Sequence, residues 1–177
     1  TKASYCLTNE NLKSILPSSC KPIISDNVLL HTAQITKIFY PKSVTDDYDN
    51  SAEDIQVTEY NSKVKHGKNV LIGKNVKIGQ NCKIGHNSII EKNVSIGDNC
   101  VVGSNVIIRN SLIKNHVHIL DGCVIGKKGF GFFPDKNYNI RYPQVGIVII
   151  NDHAEIGCGS TIDLSLIHIS EPTRRRG

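Results

Sequence analysis

Seven histidines and six cysteines are the residues of this 177-residue chain with the widest chemical capacity. Histidine supplies a general base or a zinc ligand near neutral pH. His116 and His118 flank Val117 on one strand, and with Val117 inward both imidazoles face outward. There they could hold zinc between subunits or take up a proton. No third ligand stands at a spacing that would complete a zinc site, which makes solvated surface histidines the simpler expectation. His86 and His153 fall at turns, and His66 takes a place held elsewhere by aliphatic residues. Cys82, Cys100 and Cys123 recur at a small inward position, where a thiol acts as a compact hydrophobe. No Cys-x-x-Cys pair exists, so neither a metal site nor a cofactor is expected, and the thiols suit a reducing compartment. Four acidic residues between Asp46 and Glu53 could attract a cation, but their polar, turn-rich setting reads as a solvated loop.

What must position these residues is a six-residue repeat running from His66 to Gly126. Its units read Ile72-Gly73-Lys74-Asn75-Val76-Lys77, Ile78-Gly79-Gln80-Asn81-Cys82-Lys83, and onward through Ile84, Ile90, Ile96 and Val102. Six does not fit the 3.6 period of a helix, whereas Ile and Val fit a pleated, half-buried surface. Gly and Asn tolerate the left-handed backbone of a sharp corner. The pattern predicts short parallel strands stacked into a β-helix. Burying one Ile yields roughly 1.5–3 kcal/mol, while ordering six backbones costs about 1–2 kcal/mol each. One hexad cannot stand alone, so coils must stack, and chains are expected to pack side by side as an oligomer. The register shortens once, from Ile108 to Ile113, a five-residue unit that a corner can absorb. Residues 127–146 form an insertion holding three of the four Phe, and an aromatic, glycine-bearing loop is where recognition would sit. The alternative is a lid packed on its own core. Ile150, Ile156 and Ile162 resume the hexads.

Upstream, Ala3 to Leu7 reads as a short buried strand, Asn9 as the cap of a short helix, and Lys21 to Ser25 as a second strand. Asp26 or Asn27 then caps a helix through Phe39, stopped by Pro41. The expected domains are a partial α/β unit over 1–42 and a β-helix over 43–163 with the insertion 127–146. Leu164 to Gly177 resembles the in-frame translation of a sequencing adapter, which would make 164–177 foreign to the native protein. Setting aside its three Arg and one Glu takes the formal charge from +5 to +3 and removes the clustered cations that nucleic-acid binding would use. Apolar runs such as Val145 to Ile150 are too short to span a membrane. The chain opens at Thr1 and contains no Met, which reads as an internal fragment.

Hexads of the Ile-Gly type resemble those of left-handed parallel β-helix acyltransferases, an exception to the right-handed crossover rule. Three ordered segments narrow the resemblance: Ile125-Gly126-Lys127-Lys128-Gly129-Phe130-Gly131-Phe132, Tyr142-Pro143-Gln144-Val145-Gly146, and Glu155-Ile156-Gly157 with Thr161-Ile162-Asp163. Together they are similar to the UDP-3-O-acylglucosamine N-acyltransferases of lipid A biosynthesis. The resemblance implies a cytoplasmic homotrimer that moves an R-3-hydroxyacyl group from acyl carrier protein to the glucosamine 2-amine of a UDP-sugar, with a uridine-binding-type α/β domain ahead of the coils. It implies that Gly129, Phe130, Gly131, Phe132 and Gln144 line the cleft and that Asp163 sits near the base. The family's general-base His lies downstream of Asp163, beyond the matching residues, so no catalytic residue is assigned and the chain is expected to be inactive alone. The alternatives are another hexapeptide sugar-nucleotide transferase of the O-acyl type, which lacks an α/β piece ahead of its coils, and a non-catalytic β-helical scaffold.

Overall fold

The computed structural model describes residues 3–134 and 139–164. The chain divides into two compact units, one of Thr1–Thr45 with Gly131–Val145 and one of Asp46–Phe130 with Gly146–Gly177.

In the first unit, β1 (Tyr5–Thr8) pairs in parallel with β2 (Lys21–Ile24). A 3-10 helix, Glu10–Ile15, and the helix α1 (Val28–Phe39) follow the two strands in turn. Both caps act as their residue types suggest. Asn9 Oδ1 accepts the Leu12 N–H and Asn27 Oδ1 accepts the Leu30 N–H. The expectation of a buried first strand is corrected, because Tyr5 is exposed and every residue of β2 is exposed. With two strands and one helix, only Ala33 of α1 is buried, and Ile38 and Phe39 face outward. The same unit holds Gly131–Val145 of the insertion, in which Phe132–Pro134 pairs antiparallel with Asn139–Arg141. Phe133 and Tyr142 pack with ring centroids 5.1 Å apart. Tyr138 lies outside the described residues.

The second unit is a parallel β-helix of three faces. The first face stacks Lys65–His66, Lys83–Ile84, Val101–Val102, His118–Ile119 and Glu155–Ile156. The second stacks Leu71–Ile72, Ile89–Ile90, Ile107–Ile108, Val124–Lys127 and Thr161–Asp163. The third stacks Lys77–Ile78, Ser95–Ile96, Ser111–Ile113 and Val148–Ile150. Registers such as Ile72↔Ile90 put each residue under the one eighteen places on, three hexads to a coil. The short step from Ile108 to Ile113 is absorbed at Asn110, and Ile96 still pairs with Ile113. The insertion leaves the stack equally intact: Ile113 pairs with Ile150 and Ile125 with Ile162. Inside run the corner aliphatics and the small inward residues, among them Val70, Ile90, Val106, Ile108 and Ile125, all buried.

Each corner is made by a residue with positive φ directly before the inward one. Asn69, Asn75, Asn81, Asn87, Asn93, Asn99 and Asn105 have φ between 56° and 62°. Asn tolerates this region better than other residues with a Cβ. Its amide also contributes, since Asn69 Nδ2 donates to Asn87 Oδ1 at 3.0 Å and Asn75 Nδ2 to Asn93 Oδ1 at 3.2 Å, each one coil on. The lower end is closed from upstream. Glu53–Asp54 pairs antiparallel with Leu71–Ile72, Ile55 is buried, and Tyr60 Oη donates to Val76 O at 2.7 Å.

Gly126 marks the exit into the insertion. A register shift falls between Ile125 and Lys127, φ at Gly126 is 75°, and an added Cβ would lie 1.7 Å from Arg109 O. Gly126→Ala is therefore expected to lower stability by about 3 kcal/mol or more, the sum of left-handed strain and a backbone collision. Urea denaturation of the two proteins checks this, and an unchanged midpoint would contradict the bulge.

Candidate functional site

At two of the three corners, polar side chains of one coil satisfy the backbone of the coil below. Asp98 Oδ1 accepts the Gln80 N–H at 2.7 Å, and Asp152 Oδ1 accepts the Asn115 N–H at 2.7 Å. Asp121 Oδ1 accepts from Ser104, and His86 Nδ1 accepts from Lys68. At the third corner, between the second and third faces, Lys74 and Lys92 hold the equivalent places, and an ammonium cannot accept. The upstream segment takes over. Ser51 Oγ accepts the Lys74 N–H at 3.0 Å and Asp49 Oδ2 accepts the Lys92 N–H at 2.7 Å. Gly73 leaves room for it, since a Cβ there would lie 2.4 Å from Asp49 Oδ2.

This corner also carries charge, twice at a place that is glycine in most hexads. Glu91 follows Ile90, Arg109 follows Ile108, Lys127 follows Gly126, and Asp163 follows Ile162. Arg109 Nη2 and a Glu91 carboxylate oxygen stand 2.8 Å apart with 16% and 15% of their side chains exposed. Lys127 Nζ meets Asp46 Oδ1 at 2.9 Å, and Asp163 is the register partner of Lys127. Burial pushes the Glu91 carboxyl above its ordinary range against the pull of Arg109. Asp49 moves the other way. Its side chain is only 2% exposed, and burial alone would raise it, but hydrogen bonds from Ser51 and Lys92 and the Lys92 charge outweigh that and hold it low. The solvated-loop expectation for residues 46–53 is thus corrected at Asp49, whose carboxylate is an internal strut rather than a water-facing charge.

The residues expected to form the site fall in both units. Gly129, Phe130 and Asp163 belong to the coil unit, and Gly131, Phe132 and Gln144 to the other. Phe130 is 83% exposed and Asp163 is exposed, while Gly129 is buried. Phe132 pairs with Arg141 across the hairpin, and Gln144 is 5% exposed. Within the coil unit the register brings Asp163 to the root of the insertion at Lys127, where the Leu164 N–H donates to Lys127 O at 2.8 Å. Glu91 and Arg109 were not singled out by the sequence reading, and Asp49 was read there only as one of four loop acids. The legible signal was the break in the Ile-Gly rule at Glu91 and Arg109.

The histidines separate. His116 and His153 occupy corner positions with φ of 57° and 61°, and their rings stack 4.8 Å apart at 4° in the place of an asparagine pair. His118 lies exposed on the first face opposite Glu155. His66 is held by Gly67 O and Asn61 Oδ1. Among the described residues no group of three or more His, Cys, Asp or Glu could hold a metal ion. Cys82, Cys100 and Cys123 are interior, whereas Cys158 is exposed: Cys82 Sγ donates to Gly97 O at 3.1 Å and Cys123 Sγ to Gly157 O at 3.0 Å. The contact with Cys100 and burial push the Cys82 thiol up, away from thiolate chemistry. In the first unit Ser25 Oγ lies 2.7 Å from His31 Nδ1, but it is buried and also accepts the Asn27 N–H, as a turn hydroxyl does.

The bacterial transferase hexapeptide family (six repeats) matches residues 63–94 and 75–110, so the chain carries the repeat of these transferases. Curated relatives are similar over short stretches. A UDP-3-O-acylglucosamine N-acyltransferase of Synechococcus sp. (strain WH7803) is 50% identical over 38 residues, 22% of this chain and 11% of the relative. One of Prochlorococcus marinus (strain NATL2A) is 55% identical over 38 residues with the same two shares. One of Geobacter sp. (strain M21) is 47% identical over 53 residues, 29% of this chain and 14% of the relative. The similarity read from the sequence is borne out over those stretches. Among the described residues no helix is long and apolar enough to cross a membrane.

Asp49→Asn removes the charge but keeps the size of the strut, and is expected to cost about 1–3 kcal/mol at neutral pH. Because the folded carboxyl is depressed, its contribution is complete above the ordinary carboxylate range and is lost as pH falls through the folded value below about 4. Thermal melts from neutral to acidic pH should converge for the two proteins at the acid end. Parallel curves would deny Asp49 this role.

Proposed function

We propose that this chain serves N-acyl transfer, moving an R-3-hydroxyacyl group from acyl carrier protein to the 2-amine of UDP-3-O-acylglucosamine in lipid A biosynthesis, in the cytoplasm. The observation that carries the reading is the pairing of Lys127, the root of the Gly129 to Phe132 segment, with Asp163. Segments thirty-odd residues apart in sequence then share one corner of the coil. The reaction needs a base to relieve the attacking nitrogen of its proton and an N–H donor at the thioester oxygen. It needs no covalent intermediate, which agrees with the buried Cys82, Cys100 and Cys123 thiols of the coil and with a buried Ser25. Phe130, held out into solvent beside buried Gly129, is suited to meet a ligand at a cleft wall. Asp163 suits the orientation of a protonated base.

The cleft is formed between copies in a homotrimer. What supports this is the outward column of the second face. Leu71, Ile89, Ile107 and Val124 alternate with the buried corner residues, stack in register and are half-buried. An aliphatic column on a flat sheet gains from being covered by another chain.

Ligand-observed NMR with UDP-3-O-acylglucosamine is expected to show saturable binding to the 177-residue chain, weakened about tenfold by Phe130→Ala, the loss of one aromatic contact of about 1.4 kcal/mol. No saturable binding would sink the acceptor assignment and favour a scaffold. Binding of an O-acyl acceptor in its place would favour the O-acyltransferase type. Ile107→Asp places a charge in the aliphatic column, and sedimentation should shift from trimer toward monomer. A wild-type monomer would refute the assembly.

A further inference from the structure

Five lysines surround the first coils without an acidic partner. Lys65 and Lys83 stand directly opposite each other on the first face, and Lys77 leaves the third face beside Ser95. Lys68 and Lys74 occupy turns of the same coil, and all five are exposed. Among the described residues the ion pairs go to Lys13, Lys63, Lys92, Arg109 and Lys127, and to none of these five. Four acids of the neighbouring upstream segment are committed elsewhere. Asp46 holds Lys127, Asp49 holds Lys92, Asp54 caps the Gln56 N–H, and Glu59 holds Lys63. Like charges directly opposite in a sheet are destabilising, so Lys65 over Lys83 costs stability that no ion pair among the described residues returns.

The composition of this surface selects its partner. Residues 61–92 contain no Arg and no Phe, Tyr or Trp. Bidentate phosphate recognition and base stacking, the two devices of nucleic-acid binding, are therefore lacking. So are the aromatic and arginine anchors that dominate protein interfaces. Lysine ammoniums are compact charges without directional demands, suited to a diffuse layer of negative charge. Such attachment is electrostatic, at the bilayer surface. We infer that this lysine collar is a docking surface for an anionic lipid bilayer, centred on Lys65, Lys77 and Lys83, which flank the corner between the first and third faces. The inference does not depend on the acyl-transfer reading.

Co-sedimentation of the whole chain with phosphatidylcholine vesicles, with and without phosphatidylserine, tests it at low and at physiological salt. Binding is expected to require phosphatidylserine and to weaken as salt shortens the Debye length to about 8 Å. A lysine near an anionic membrane is worth roughly fivefold in partitioning, so K65Q/K77Q/K83Q should lose on the order of 100-fold. The charge-matched K13Q/K21Q/K37Q should retain wild-type partitioning. Arg174 to Arg176 are common to every variant and cannot produce a difference between the two triples. Because it relieves a like-charge pair, K65Q/K77Q/K83Q should melt no lower than wild type, which separates lost docking from lost folding. Equal losses in both triples, binding to neutral vesicles, or no binding to anionic ones would overturn the inference. So would lysine-dependent capture of duplex DNA without vesicle binding.

Discussion

Every coil has to return each hexad to its place above the one before, and that depends on a left-handed residue at each corner. L-residues pay for that conformation, so the corner residue must either lack a Cβ or recover the cost through its side chain. Asn recovers it by an amide ladder between coils, as from Asn69 to Asn87 to Asn105. Gly122 and Gly159 avoid it, and His116 and His153 replace the amide ladder by ring stacking. Because the ladder runs parallel to the strand registers, side-chain and backbone bonds enforce the same eighteen-residue spacing. A five-residue step and a long insertion are then tolerated, since coils on either side of each resume one register.

The third corner departs from this economy, and the departure gathers the charged residues. Lys92 above Lys74 and Asn110 above Lys92 supply no acceptor to the two backbone N–H groups beneath them, and Ser51 and Asp49 fill the gap from a segment that precedes the repeat. Glu91 and Arg109 then pair under cover in positions where glycine is usual. Burying such a pair is weak evidence of stability for its own sake, because desolvation offsets much of the attraction. Its effect here is a line of fixed charges along one edge, continued by Lys127 and Asp163, at the point where the chain leaves for the insertion.

Outward residues divide the coil surface by chemistry. The second face carries aliphatic side chains where a solvated sheet would carry polar ones, whereas the first begins with two opposed lysines and ends at Glu155. A flat, in-register sheet amplifies either choice, because identical outward places recur about every 4.8 Å up the stack.

The sequence by itself determined the β-helix, its hexad boundaries, the cap at Asn9, a second cap at Asp26 or Asn27, and the short step at Ile113. Each of these is a local requirement repeated at a fixed period, or a backbone geometry that few residue types accept. It also indicated Gly129 to Phe132, Gln144 and Asp163 as residues of interest, through ordered segments rather than through any contact. Only the tertiary structure decided that Asp49 is an internal strut, that Glu91 meets Arg109, that Asp163 stands beside Lys127, and that His116 stacks on His153 instead of acting with His118. The same holds for the lysines of the first coils. Spaced three to six residues apart they read as ordinary solvated turns, and coiling gathers them around one level. These relations join residues 18 to 43 places apart, and such distances become neighbours only when the coil closes, so no local pattern of residue types could have carried them.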